Sequence, residues 1–149
     1  MGELPTKLQA LIDDLETITD RNERAELLIE IADRFPAAKV PPEVATPPYD
    51  EAHRAPACES EAFVWAVDQP DGSLKLYFDV LNPQGLSAMA MSVILKETLE
   101  GEPLETLASF PTDVVFRLFG KELSMGKGAG LMGIISLVQN EARRRLRHA

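Results

Sequence analysis

The chain has 149 residues, 45% of them apolar and 26% charged, with a formal net charge of −9. That is a globular composition, long enough to bury one core without disulfides. The acid excess argues against a nucleic-acid partner, which requires Lys and Arg against phosphates, and no apolar run approaches the roughly 18 residues that span a bilayer.

The N-terminus, MGELPTKLQALIDDLE, is acidic and amphipathic. It lacks the basic flank and apolar stretch of a signal peptide and is too acidic for a transit peptide, so a cytoplasmic protein is expected. Leu4, Leu8, Leu11, Ile12, Leu15 and Ile18 fall on one helical face. Asp20 then offers an N-cap, with Glu23 at capping-box spacing, for a second helix. Its stripe runs through Leu28, Ile31, Ala32 and Phe35 and stops at Pro36. Two helices joined by a short turn predict an antiparallel pair.

Residues 36–57 hold six of the eleven prolines, so no regular element is expected to run through them. A loop of this length is either a plain linker or a functional segment. "EAFVWAV" then reads as a strand buried on both faces, and Pro70-Asp71-Gly72 supplies a turn. "SLKLYFDV" alternates, with Leu74, Leu76, Phe78 and Val80 inward and Lys75, Tyr77 and Asp79 outward. No third strand is visible in the pattern, although a two-stranded sheet requires other elements to stabilise it.

After Pro83, a largely apolar helix is predicted to close at Gly101 in the C′ position. Shorter helices are expected near 104–108 and 111–119. A last helix carries Leu131, Ile134, Ile135, Val138 and Ala142 on one face, entered through a glycine-rich turn, "SMGKGAG". The order predicts one α+β domain over residues 1–149, a small antiparallel sheet flanked by helices. Arg143, Arg144, Arg145 and Arg147 complement the dipole at the C-terminal end of the last helix, with a basic docking patch as the alternative.

Few residues offer chemistry. Cys58, His53 and His148 show no metal-ligand spacing, so no metal site is expected. The GKGAG stretch lacks Walker spacing and follows no strand, which makes it a weak phosphate cradle. Met89, Met91, Met125 and Met132 read as core filling.

Cys58 is the single cysteine, so no intramolecular disulfide can form. It stands where the proline-rich loop meets the first strand, among His53, Arg54, Glu59 and Glu61. A cation such as His53 or Arg54 favours the reactive thiolate, and the two glutamates oppose it. A buried structural cysteine and a reactive thiol both remain open on these residues. A Cys-His hydrolase built on Cys58 and His53 is disfavoured, because no orienting third residue or oxyanion site is marked.

The stretch "HRAPACESEAFVW" resembles the SufE family of sulfur acceptors, whose members carry a Val-Pro-x-Cys-x-Ser-type segment running into an aromatic strand. Here the segment reads Ala55-Pro56-Ala57-Cys58-Glu59-Ser60, and "MGKGAGLMGI" matches the family's Gly-Leu entry to the last helix at Gly130-Leu131. The resemblance extends from the N-terminal helices to about Leu146. It implies a SufE/IscU-like α+β fold in which Cys58 takes persulfide sulfur from a PLP-dependent, SufS-like cysteine desulfurase, stimulates that enzyme, and relays the sulfur to an iron–sulfur scaffold complex. Such a protein is a co-substrate and activator rather than a stand-alone enzyme, and it carries no cofactor, since PLP belongs to the desulfurase. Neither nucleic acid nor a membrane is implied as a partner. Where relatives commonly carry arginine this chain has Lys127, which keeps the charge and loses the planar fork. Where they often carry glycine it has Ala57, expected at an ordinary φ. Lys127, His53 and Arg54 are therefore the candidate supports of the thiolate. The alternative is a non-catalytic interaction domain of the same fold with a dispensable cysteine.

Overall fold

The computed structural model describes residues 3–121 and 123–148. Helices α1 (Thr6–Glu16) and α2 (Arg21–Ala32) are followed by strands β1 (Ala62–Asp68) and β2 (Leu74–Val80). Then come α3 (Leu86–Leu99), α4 (Leu104–Ser109), α5 (Val114–Phe119) and α6 (Met125–Arg147). The fold is α+β.

The strands pair antiparallel, with Val64 opposite Phe78 and Trp65 opposite Tyr77. One face of this hairpin enters the main core through Ala62, Val64, Leu74, Leu76, Phe78 and Val80. Helix α3 packs against β2 and also meets α1, α2 and α6, so its apolar character on nearly every side follows from burial. Helix α6 lies over β1 and α4.

The proline-rich segment is not a plain linker. It crosses the outer face of the hairpin, where Val40, Phe63 and Trp65 form a second apolar cluster with Ala45, Tyr49 and Tyr77. It also closes both open edges of the sheet. Val40 N donates to Phe78 O and Phe78 N to Ala38 O, while Ala55 N donates to Ala62 O, giving single bridges at Lys39 and Arg54. These bridges do the work of the missing third strand.

The covering segment also explains Asp79. Its register puts it on the outer face, as the alternation predicts, yet it is 5% exposed because Tyr49 lies over it. Tyr49 Oη donates to Asp79 Oδ2 at 2.6 Å and Val80 N donates to Oδ1 at 2.8 Å.

Asp20 caps α2 by accepting from Asn22 N at 3.0 Å, not through a capping box with Glu23. Gly101 follows α3 at φ +85°, as its C′ position requires. Three of the four arginines near the end of α6 bind their own fold: Arg143 reaches Ala108 O, Arg144 pairs with Glu141, and Arg145 joins Glu141 and Asp68.

Candidate functional site

Cys58 lies in a tight reversal between the two edges of one bridge. Ala55 N bonds Ala62 O across its base, and Glu61 N donates to Cys58 O at 3.1 Å. Ala57 and Glu61 both have positive φ, +60° and +56°. The expectation of an ordinary φ at Ala57 is therefore corrected: the reversal demands a left-handed residue just before the cysteine. Glycine, which has no Cβ, would adopt this conformation without strain.

The glycine-rich entry to α6 is also corrected. Gly126, Gly128 and Gly130 lie inside the helix, which is capped by Ser124, whose Oγ accepts from Lys127 N at 3.2 Å. Two glycines of this helix admit the cysteine segment instead of making a turn. A Cβ on Gly130 would sit 3.1 Å from Ala57 O and from Cys58 Cα, and one on Gly133 would sit 2.4 Å from Pro56 O. On the other side, a Cβ on Gly85 would meet Ser60 Oγ at 2.9 Å. Glycines thus seat residues 56–60 between α6 and the start of α3. Gly133 and Gly85 carried no signal in a single-sequence reading beyond the helical spacing of Gly130 and Gly133.

Held this way, Cys58 is 9% exposed and belongs to the main core cluster. It nevertheless lines a cleft of about 360 Å³, with Ala25, Leu28 and Ile29 of α2, Leu86 of α3, Phe119, and Lys127 of α6. Lys127 is the one candidate support that the fold brings to this cleft.

Arg54 shares a shallower recess with Cys58 but is engaged by carboxylates, Glu61 at 3.6 Å and Glu51 at 4.0 Å. His53 lines neither recess. Its Nδ1 donates to Val64 O at 2.9 Å, and its ring stacks on Trp65 with centroids 5.3 Å apart. That hydrogen bond fixes the proton on Nδ1 and ties the imidazole to the outer aromatic cluster. Among the described residues, no three His, Cys, Asp or Glu side chains converge as a metal site would require.

The fold and this cleft describe a small α+β protein with one sheltered thiol beside a lysine. The family model for SufE, the Fe-S metabolism associated domain, matches residues 9–142. The chain therefore belongs to the SufE family, and a role in iron–sulfur metabolism follows. It is also similar to the solution structure of a hypothetical protein from Thermus thermophilus, with a TM-score of 0.71 and 26% identity over 97% of this chain and 99% of that one. No curated protein matches it. No helix among the described residues is long and apolar enough to cross a membrane.

Proposed function

We propose that the chain, acting as one sulfur-acceptor domain over residues 1–149, takes sulfur at Cys58 from a PLP-dependent cysteine desulfurase and passes it to an iron–sulfur scaffold. The Cys58 thiolate attacks the outer sulfur of the donor persulfide. The donor S–S bond breaks as the new one forms, and the donor cysteine leaves as a thiolate. The sulfane sulfur keeps its hydrogen and its oxidation state, so no external oxidant or reductant enters. Removing this product from the desulfurase cysteine frees the enzyme for another cycle, which is the stimulation proposed.

The observation that carries this reading is the seating of Cys58: mostly buried, yet opening on a cleft that Lys127 also lines. Lys127 places a positive charge on the wall of the cleft that an incoming sulfur donor would enter. Burial shelters a persulfide from small thiols, and delivery to a partner then requires the 56–60 segment to swing out on docking. With no second cysteine to capture it, the thiol suits a reducing compartment, and the cytoplasm is the location proposed.

Peptide mass spectrometry after incubation with a PLP-loaded desulfurase and L-cysteine tests the reading. One added sulfur on the Cys58 peptide is expected, lost on reduction, with Cys58→Ser abolishing both the adduct and the stimulation of sulfide release. Stimulation that survives in Cys58→Ser would overturn it in favour of an interaction domain with a dispensable cysteine.

A further inference from the structure

Among the described residues only two non-glycine residues hold a positive φ, Ala57 at +60° and Glu61 at +56°, and they bracket Cys58. Left-handed backbone is uncommon outside glycine. Alanine and glutamate also lack the short polar side chain that lets asparagine or aspartate tolerate it.

Each of the two is fixed by contacts on a different side. The Ala57 carbonyl oxygen lies 3.1 Å from where a Cβ on Gly130 would stand, and the Pro56 carbonyl oxygen lies 2.4 Å from the same point on Gly133. Glu61 is tied instead to the connection after β2, where Leu81 N donates to Glu61 O at 3.1 Å and Asn82 N donates to Ser60 O at 3.2 Å. Its own N–H closes the reversal on Cys58 O, and its carboxylate meets Arg54 across the neck at 3.6 Å. Strained backbone persists only where its surroundings over-determine it, and here α6 and the β2–α3 connection do so from opposite ends of the reversal. Once the segment leaves those surfaces, both residues are free to return to an ordinary φ.

We propose that Ala57 and Glu61 form a loaded hinge: the seated reversal is strained at both ends, and the strain is released when residues 57–61 carry Cys58 outward. The proposal rests on the sulfur-acceptor reading and adds to it how a sheltered thiol is made easy to expose. Both are positioning residues, acting through the backbone on where Cys58 stands. Seating contacts and strain oppose one another, so Cys58 stays covered in the free chain while opening costs less than the packing alone would set. A partner that binds the open form supplies only the difference. Glycine at these positions would seat the cysteine without strain and leave the whole packing cost to the partner.

Cys58 is the chain's single cysteine, so it serves both as reporter and as junction for the test. A synthetic thioester of residues 1–57 ending in D-alanine, ligated through Cys58 to residues 58–149 and refolded, gives the full chain with Ala57→D-Ala. A D-residue favours positive φ and adds no backbone freedom, so it removes the strain alone; the all-L chain made by the same route is the reference. Iodoacetamide alkylation of the free protein should slow about fivefold in Ala57→D-Ala. In Ala57→Gly it should slow only about twofold, because glycine also gives freedom to the open segment. Glu61→Gly should likewise react about twofold more slowly than Glu61→Ala, which loses the same carboxylate and keeps the strain. A weak dependence of these rates on urea identifies local opening rather than global unfolding. With a PLP-loaded desulfurase, the concentration of Ala57→D-Ala giving half-maximal stimulation should rise by the factor by which alkylation slows, with the maximum unchanged. Thermal melting confirms refolding; a purely structural gain would raise the melting temperature and leave half-saturation unmoved. Alkylation as fast in Ala57→D-Ala as in the reference would overturn the hinge, and so would rates that follow urea as steeply as global unfolding. Slower alkylation at unchanged half-saturation would overturn its part in sulfur transfer. If wild-type Cys58 gains no sulfur from any desulfurase, the acceptor reading fails, while the alkylation rates still decide whether the reversal is loaded.

Discussion

Ala57 carries a cost that its neighbours impose. At φ +60° an alanine Cβ crowds the adjacent carbonyl, a penalty on the order of 1 kcal/mol. The residue stays there because Pro56 and Cys58 are clamped against Gly133 and Gly130. Ala57→Gly removes the penalty and adds freedom to the unfolded chain, and the first effect should exceed the second. A stability gain of about 0.5 kcal/mol is expected, seen as a melting temperature higher by about 2 °C. A fall would mean that the cysteine reversal is not held left-handed in solution. Among the other site residues, Lys127 combines position and charge, whereas His53 is bound to Val64 O and Trp65.

Helix α6 shows how one element serves two ends. Its C-terminal half ties α4 and β1 together through Arg143 and Arg145, and its N-terminal half is shaped around the cysteine segment. Glycine weakens a helix, so its persistence at 130 and 133 reflects close approach and not flexibility. Two substitutions separate these effects. Gly133→Ala drives a Cβ into the Pro56 carbonyl, and should destabilise the fold by about 2 kcal/mol and speed alkylation of Cys58 as the segment is pushed out. Gly126→Ala meets nothing within 4 Å, and should stabilise by about 0.5 kcal/mol through helix propensity while leaving alkylation slow. Similar melting curves for the two variants would contradict this packing.

At the scale of the whole molecule, the proline-rich segment joins the helical layer to the sheet and delivers Cys58 at its end. Its hold on the outer face depends on Tyr49, which packs edge-on against Trp65 at 4.7 Å and donates to buried Asp79. Burial first, then this hydrogen bond to the carboxylate, push the Tyr49 phenol up to about 12. The phenol therefore keeps its proton in the folded state at pH values where the unfolded chain has lost it. Stability from this group is fully present below about pH 10 and falls as pH rises from about 10 to 12. Emission from Trp65, the chain's single tryptophan, should report release of the segment across that window. Tyr49→Phe should flatten the transition. An unaltered transition in Tyr49→Phe would show that the segment is held by other contacts.

The helices, the hairpin and the family were legible in the chain because each rests on local information. Apolar spacing set the buried faces of α1, β2 and α6, turn chemistry set the hairpin, and the cysteine segment with Gly130-Leu131 carried the resemblance. Everything that makes Cys58 distinctive arises from contacts far apart in sequence. Periodicity cannot report that Gly133 must clear Pro56, that Asp79 is roofed by Tyr49, or that Lys127 shares a cleft with Cys58 while His53 does not. Those arrangements follow from packing α6 and α3 on both sides of one reversal, so only the tertiary structure decided them.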